Sequence, residues 1–446
     1  MKYQPYTSTR KARHGRLGKI PAGWEERRIK FAASYNDESL PETTASDQEI
    51  HYVDISAVNL VEGITAIETM PFDESPSRAR RIVRDGDTII STVRTYLKAI
   101  APIQTPDDFL IVSTGFAVVR PLQFLNSRFL GYYLQGTNFV DEVGANSTGV
   151  SYPAIKPSTL VTIPIVYPLE KDEQQQIADF LVWKTGQIDA LIAKKRELID
   201  KLKEQRIAVI TQAVTKGLNP NALMRDSKIE WIGEIPEHWD VQKLKFNVSK
   251  IGSGVTPSGG AESYEDEGIP LLRSQNVHFE GLKLSDVVFI SEETHLDMKN
   301  SHVKEGDVLL NITGASIGRC NFADQTLGVA NVNQHVCIIR PEDGISTQYL
   351  YYLLWSEVGQ TQIELEQSGS GREGLNFVTL KNFTFPLPDI SEQNRIVKTL
   401  VRKLGKLSKL ATKVSEAEKK LVEYRTALIT AATTGKIDVR NVKVGV

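Results

Sequence analysis

The sequence predicts an α+β chain in which two similar α/β domains are joined by two long antiparallel coiled-coil helices with pseudo-two-fold symmetry. Three observations carry that prediction. A heptad stripe runs along about Lys171 to Val214 and returns some 219 residues later. Short motifs recur at nearly the same separation. The stretches outside the helices read as short β-branched strands punctuated by turns.

In the first helix Ile188, Leu191, Leu198, Leu202 and Val209 recur every three or four positions, with Lys195 and Gln205 in the same seam. Leu407, Leu410, Val414, Ala417, Leu421, Tyr424 and Leu428 repeat the stripe. That spacing buries one narrow helix face against another helix. At 1.5 Å per residue each helix reaches roughly 60 Å. Parallel pairing would force the intervening domain's link to travel that length back, which about 20 extended residues barely span. Antiparallel pairing is therefore expected, with one domain at each end of a rod.

The repeats set the layout. Ile20-Pro21-Ala22-Gly23-Trp24 returns as Ile235-Pro236-Glu237-His238-Trp239, Asp85-Gly86-Asp87 as Glu305-Gly306-Asp307, Arg120-Pro121 as Arg340-Pro341, and Glu173-Gln174 as Glu392-Gln393. The expected order is a basic tail at 1–19, a first domain at 20–170 and a helix at 171–216. A turn-rich linker at 217–234, a second domain at 235–389, a helix at 390–434 and a tail at 435–446 complete it. Within the domains, Thr88-Ile-Ile-Ser-Thr-Val and Val308-Leu-Leu-Asn-Ile-Thr read as strands after a Gly-Asp turn. Phe116-Ala-Val-Val-Arg-Pro and Val336-Cys-Ile-Ile-Arg-Pro read as strands stopped by proline. One helix per domain is predicted, at Ser127 to Leu134 and at Thr347 to Trp355.

Composition narrows the function. The 446-residue chain has a net charge of −2, so a nucleic-acid partner is arguable only from local patches. Cys320 and Cys337 form no C-x-x-C and read as buried free thiols of a reducing cytoplasm. The basic start lacks the apolar run of a secretory leader, and prolines interrupt the most apolar stretch, Leu160 to Leu169. A cytoplasmic protein with no membrane partner is expected.

A two-fold rod with similar but non-identical heads suits double-stranded DNA carrying two separated half-sites. Equivalent positions of the domains keep their apolar residues and change their polar ones. Ser91, Thr92, Arg94, Tyr96 and Lys98 stand where Asn311, Thr313, Ser316 and Arg319 cluster. Such residues reach base edges or fix phosphates. Two further loops are rich in small polar residues: Asn146 to Tyr152, with Ser147, Thr148, Ser151 and Tyr152, and Gln367 to Asn376, with Ser368, Ser370, Arg372 and Asn376. Ordinary surface loops are the competing reading. The second helix carries ten Lys/Arg against four Glu over Glu392 to Arg425. Lys406, Lys409 and Lys413 are expected to face unread DNA between the half-sites, a solvated charge run being the alternative.

Gly268-Ile-Pro-Leu-Leu-Arg-Ser-Gln-Asn276, Gly306 to Gly318 and Ala330-Asn-Val-Asn-Gln-His335 resemble the specificity subunit of type I restriction-modification systems. So do the Ile-Pro-x-x-Trp entries and the Pro-Leu-Pro388 … Glu-Gln393 run. The resemblance spans nearly the whole chain and implies two target recognition domains, each reading half of a bipartite DNA target. It adds Arg273 and Asn276 to the DNA-contacting set. It implies helices that set the half-site spacing and carry two modification (methyltransferase) subunits, with restriction subunits joining through the complex. S-adenosylmethionine and ATP are then expected in the partner subunits and no cofactor in this chain. Ser91-Thr-Val-Arg-Thr-Tyr departs from the family's commoner wording, which Asn311-Ile-Thr-Gly-Ala-Ser follows.

Catalytic motifs are missing. The chain has no Pro-Pro pair for an adenine methyltransferase and no G-x-x-x-x-G-K-[ST]. The seven histidines show no metal-ligand spacing. A non-catalytic recognition subunit is expected, with a stand-alone two-headed DNA-binding protein as the alternative.

Overall fold

The computed structural model describes residues 3–369 and 374–443. The chain divides into two compact units, Met1–Arg196 with Ser415–Val446, and Glu197–Val414.

The first unit is built on two four-stranded sheets. One has the antiparallel order Ile100–Pro102, Thr88–Ser91, Phe116–Pro121, Ala33–Tyr35. The other runs Glu68–Pro71, Glu49–Val53, Leu110–Ser113, Ala79–Ile82, and its central pair is parallel. The second unit repeats both sheets. Cys320–Phe322, Val308–Asn311, Val336–Pro341 and Val248–Ser253 form the first. Val288–Ile290, Ile269–Leu272, Ala330–Val332 and His302–Val303 form the second, again with one parallel pair. Thr88–Ser91 and Val308–Asn311 are buried at every position. That is why they read as apolar runs rather than alternations.

The recurring motifs turn out to be clamps. The Trp24 indole donates to Glu173 Oε1 at 3.0 Å, and the Trp239 indole to Glu392 Oε2 at 3.1 Å. Gln174 is buried, accepts from the Asn126 backbone N–H at 2.6 Å and donates to the Pro168 carbonyl at 2.8 Å. Gln393 does the same with Ser346 and Pro388 at 2.8 and 3.0 Å. The Ile-Pro-x-x-Trp entry of each domain is thereby fixed to the first turn of its own long helix. The Gly-Asp and Arg-Pro motifs meet as well. Arg120 grips the buried Asp87 through two bonds of 2.8 Å, and Arg340 grips the buried Asp307 through two of 2.7 Å. Gly86 and Gly306 both have φ of +86°, which a glycine supplies without strain.

In each unit the one helix expected is followed directly by a second. Ser127–Gln135 is succeeded by Thr137–Ala145, and Thr347–Trp355 by Glu357–Gly369. A single extended residue, Gly136 or Ser356, separates each pair, too short an interruption to register in the pattern. The stretch read as a basic tail is also ordered from residue 3. Thr9–Lys11 pairs with Lys19–Pro21, while Tyr6, Ala12 and Leu17 join the first unit's core. In the linker, Met224–Asp226 pairs with Glu234–Pro236. Val439, in the C-terminal stretch, is buried in the first unit.

The long helices run Lys171–Lys216 and Ile390–Thr433. Within the first unit, Asp189 bonds Arg425 at 2.8 Å and Arg196 bonds Glu418 at 2.7 Å. One number rises as the other falls, so these segments are antiparallel. The seam needs correction by one residue at several places. Ile188, Leu202, Val414 and Leu428 are buried, and Val209, Leu407 and Leu421 are partly so. Leu191, Leu198 and Leu410 are exposed, at 47%, 37% and 45%. Ile192, Ile199 and Ala411 occupy the inward positions instead. Each displaced leucine sits beside an apolar neighbour, and only one of two adjacent residues can face the seam. Tyr424 yields likewise to Arg425, which is buried, and Gln205 to the half-buried Arg206. Among the described residues no helix is long and apolar enough to cross a membrane. Both cysteines are free and buried.

Candidate nucleic-acid interface

In the first unit the two expected loops converge. Thr92 donates from its backbone and its hydroxyl to the Gly115 carbonyl, both at 2.8 Å, while its own carbonyl accepts from Ile155 at 2.9 Å. Thr95 N–H donates to the Pro153 carbonyl at 3.2 Å, and its hydroxyl bonds the Ser147 hydroxyl at 2.8 Å. The Arg94 guanidinium lies over the Tyr152 ring, 5.1 Å from its centroid. The tethers divide the residues. Ser91 and Thr92 are buried, and Ser91 spends its hydroxyl on the Val93 carbonyl at 2.6 Å. They brace the loop and are withdrawn from the contact set. Arg94, Tyr96, Lys98, Thr148, Ser151 and Tyr152 are exposed, and Ser147 is half-buried.

The second unit brings together the corresponding segments. Ile312 O accepts from Leu375 N–H at 2.8 Å, joining the turn after Val308–Asn311 to the segment ending at Asn376. The Asn311 carboxamide donates to the Ser274 carbonyl at 2.8 Å and the Ser316 hydroxyl at 3.1 Å. Asn276 is fully buried: it accepts from Arg273 N–H at 2.9 Å and donates to the Lys283 carbonyl at 2.9 Å. Asn311 and Asn276 are thus corrected from base readers to internal braces. Arg319 and Asn376 are exposed, while Arg273, Thr313 and Ser316 are half-buried. Asn376 also caps the short helix Phe377–Lys381, accepting from Thr379 N–H at 2.8 Å. Ser370 and Arg372 lie outside the described residues, as does the side chain of Ser368.

Lys406, Lys409 and Lys413 are all exposed on the second long helix. Their steps of three and four put them on one face. Sequence reasoning missed His335, whose Nδ1 bonds the Thr313 hydroxyl at 2.5 Å, and the exposed Gln334 beside it. Both lie in the Ala330-Asn-Val-Asn-Gln-His335 motif, so the signal was present. Also missed were the exposed apolar side chains of the first unit's loops, Val93, Leu97 and Val150. Apolarity in a loop carries no pattern that marks it. Among the described residues no group of three or more His, Cys, Asp or Glu is placed to hold a metal ion.

The family model described as "type I restriction modification DNA specificity domain" matches the chain twice, over residues 22–204 and 236–417. The EcoBI specificity subunit of Escherichia coli is 29% identical over 321 residues, covering 70% of this chain and 66% of that one. The MjaVIII specificity subunit of Methanocaldococcus jannaschii is 26% identical over 336 residues, covering 74% and 75%. A solved structure from work on complex assembly and conformational transition of the type I R-M system superposes with a TM-score of 0.68. It is 24% identical, with 94% of this chain and 99% of that chain covered.

Proposed function

The chain belongs to the type I restriction modification DNA specificity family, and from that premise we propose how it works as the DNA-recognition subunit. Each domain reads one half of a bipartite target. The long helices set the separation of the halves and receive two modification subunits, through which restriction subunits join. The observation that carries this is the same tether in both duplicated units: the turn after the buried strand is hydrogen-bonded to a segment that follows the helices, through Pro153 and Ile155 in the first unit and Leu375 in the second. Buried clamps hold the scaffold while the side chains above it differ.

No catalytic step is assigned to this chain. S-adenosylmethionine and ATP are proposed to bind the partner subunits, and the complex to work in the cytoplasm. The near-neutral charge favours a subunit over a stand-alone binder, because a DNA-binding protein acting alone usually carries a strongly basic face. The test is specific DNA affinity, measured for the pure chain and again with a modification subunit added. A marked gain on addition is expected. Full specific affinity of the pure chain would favour the stand-alone reading, and methyl transfer by it would overturn the non-catalytic one.

A further inference from the structure

The loop Val93–Lys98 aligns with Thr313–Gly318, 220 residues on, and the two share a positive φ at their second and last positions. Arg94 and Lys98 occupy the left-handed region, with φ of 48° and 53°. Gly314 and Gly318 occupy it at the equivalent places, with φ of 70° and 86°. The second unit meets the demand with glycine. The first meets it with two cations, each carrying the strain a side chain suffers there, on the order of 1 kcal/mol. Nothing in the fold requires those side chains, since glycine meets the positive φ at both aligned places of the other unit. Between them the first unit exposes Tyr96 and Leu97, at 57% and 46%, where the second has Ser316 and Ile317. Val93, Tyr152 and the fully exposed Val150 extend the apolar surface.

Cations flanking an apolar ridge on a tethered loop match a duplex groove: phosphates at the edges and, on its floor, the thymine C5-methyl group as the apolar feature. A protein partner would suit the ridge but would give no reason for Arg94 and Lys98 at strained positions. We propose that Tyr96 and Leu97 read thymine methyl groups in the first unit's half-site, with Arg94 and Lys98 held against the flanking phosphates. This rests on the chain being a DNA-recognition subunit, and it assigns the two units different readout chemistries.

The experiment uses the chain with its modification subunit and a target duplex selected from a random pool. Replacing each first-half thymine by deoxyuridine removes only the methyl. Binding should fall about three- to fivefold at one or two positions, the worth of one buried methyl, and Tyr96→Ala/Leu97→Ala should abolish that discrimination. Arg94→Gly/Lys98→Gly should leave the unfolding midpoint unchanged or raised, and flatten the salt dependence of binding by about two phosphate contacts. A first half without thymine, or one indifferent to every deoxyuridine, overturns the proposal while leaving DNA recognition standing. An unchanged salt slope in the glycine variant overturns the phosphate role. A pool that yields no preferred duplex overturns the recognition reading and this inference together.

Discussion

The two units keep the same buried clamps and differ in the loops above them. Asp87–Arg120 and Asp307–Arg340 are the same ion pair; Trp24–Glu173 and Trp239–Glu392 are the same indole–carboxylate clamp. Above those clamps, Arg94, Tyr96 and Lys98 face the solvent where the other unit has Gly314, Ser316 and Gly318. The difference teaches how one scaffold carries two specificities. Interior groups must satisfy one another and cannot change singly, whereas loop residues answer only to their backbone conformation and their ligand.

Exchanging the domains tests that division most severely. Replacing about residues 20 to 165 with the corresponding domain of a relative should change one half of the target and leave the other. Each changed base pair is worth about 1–3 kcal/mol of specific binding, so the hybrid should bind the original target several orders of magnitude more weakly. Target selection with the hybrid measures this. If both halves changed together, the two domains would not be independent readers.

Breaking a clamp comes next in size. Arg120→Ala leaves Asp87 buried without its cation, and Arg340→Ala does the same to Asp307. Removing one partner of a buried pair costs about 3–5 kcal/mol. The lower end applies, since the two arginines keep 25% and 23% of their side-chain surface in water. Each variant should lose hydrogen-exchange protection in its own unit by about that amount. Equal loss in both units from either variant would mean that the clamps do not act locally.

How much of this the sequence held depends on which kind of residue is asked about. Duplication, strand cores and long helices were legible, because burial writes its period into the chain. The heptad spacing points to Leu191 and Leu198 as inward residues, yet Ile192 and Ile199 hold those places. Neighbouring apolar residues leave the phase of a stripe undetermined. Arg206 and Arg425 escaped for the opposite reason: a half-buried or buried arginine does not look like a seam residue. Among the loop residues, Asn276 and Asn311 look alike as braces and as base readers. Only their hydrogen bonds to backbone carbonyls show them to be braces.

A smaller effect is expected on the helix. If Lys406, Lys409 and Lys413 face unread DNA, replacing all three by Gln should weaken binding about equally on every sequence. The slope of log affinity against log salt should flatten by roughly 2.7, three contacts at about 0.9 each. It sharpens the comparison by separating charge that binds any duplex from loops that select one. An unchanged slope would return the three lysines to the solvated charge run.

The smallest effect concerns an ion-pair arm that, among the described residues, is seen in the first unit and not in the second. Glu38 accepts from Arg84 and from Arg120, both at 2.6 Å, while in the second unit the Arg340 Nη2 that already bonds Asp307 also donates to the His302 carbonyl at 3.4 Å. Hydrogen bonds from Arg84 and Arg120 hold the Glu38 carboxyl below its ordinary value. A carboxyl lowered by folding contributes stability that is present above its unfolded pKa, about 4.3. That stability is lost as pH falls through the lower folded value. The group is near the surface, so the contribution should be a few tenths to about 1 kcal/mol. Glu38→Gln should therefore lower the first unit's exchange protection slightly at pH 7 and leave the second unit's unchanged. Between about pH 4.3 and pH 3 the wild-type and variant curves should converge. Curves that stayed parallel down to pH 3 would mean that the Glu38 charge contributes nothing, and that the first unit's extra arm is packing alone.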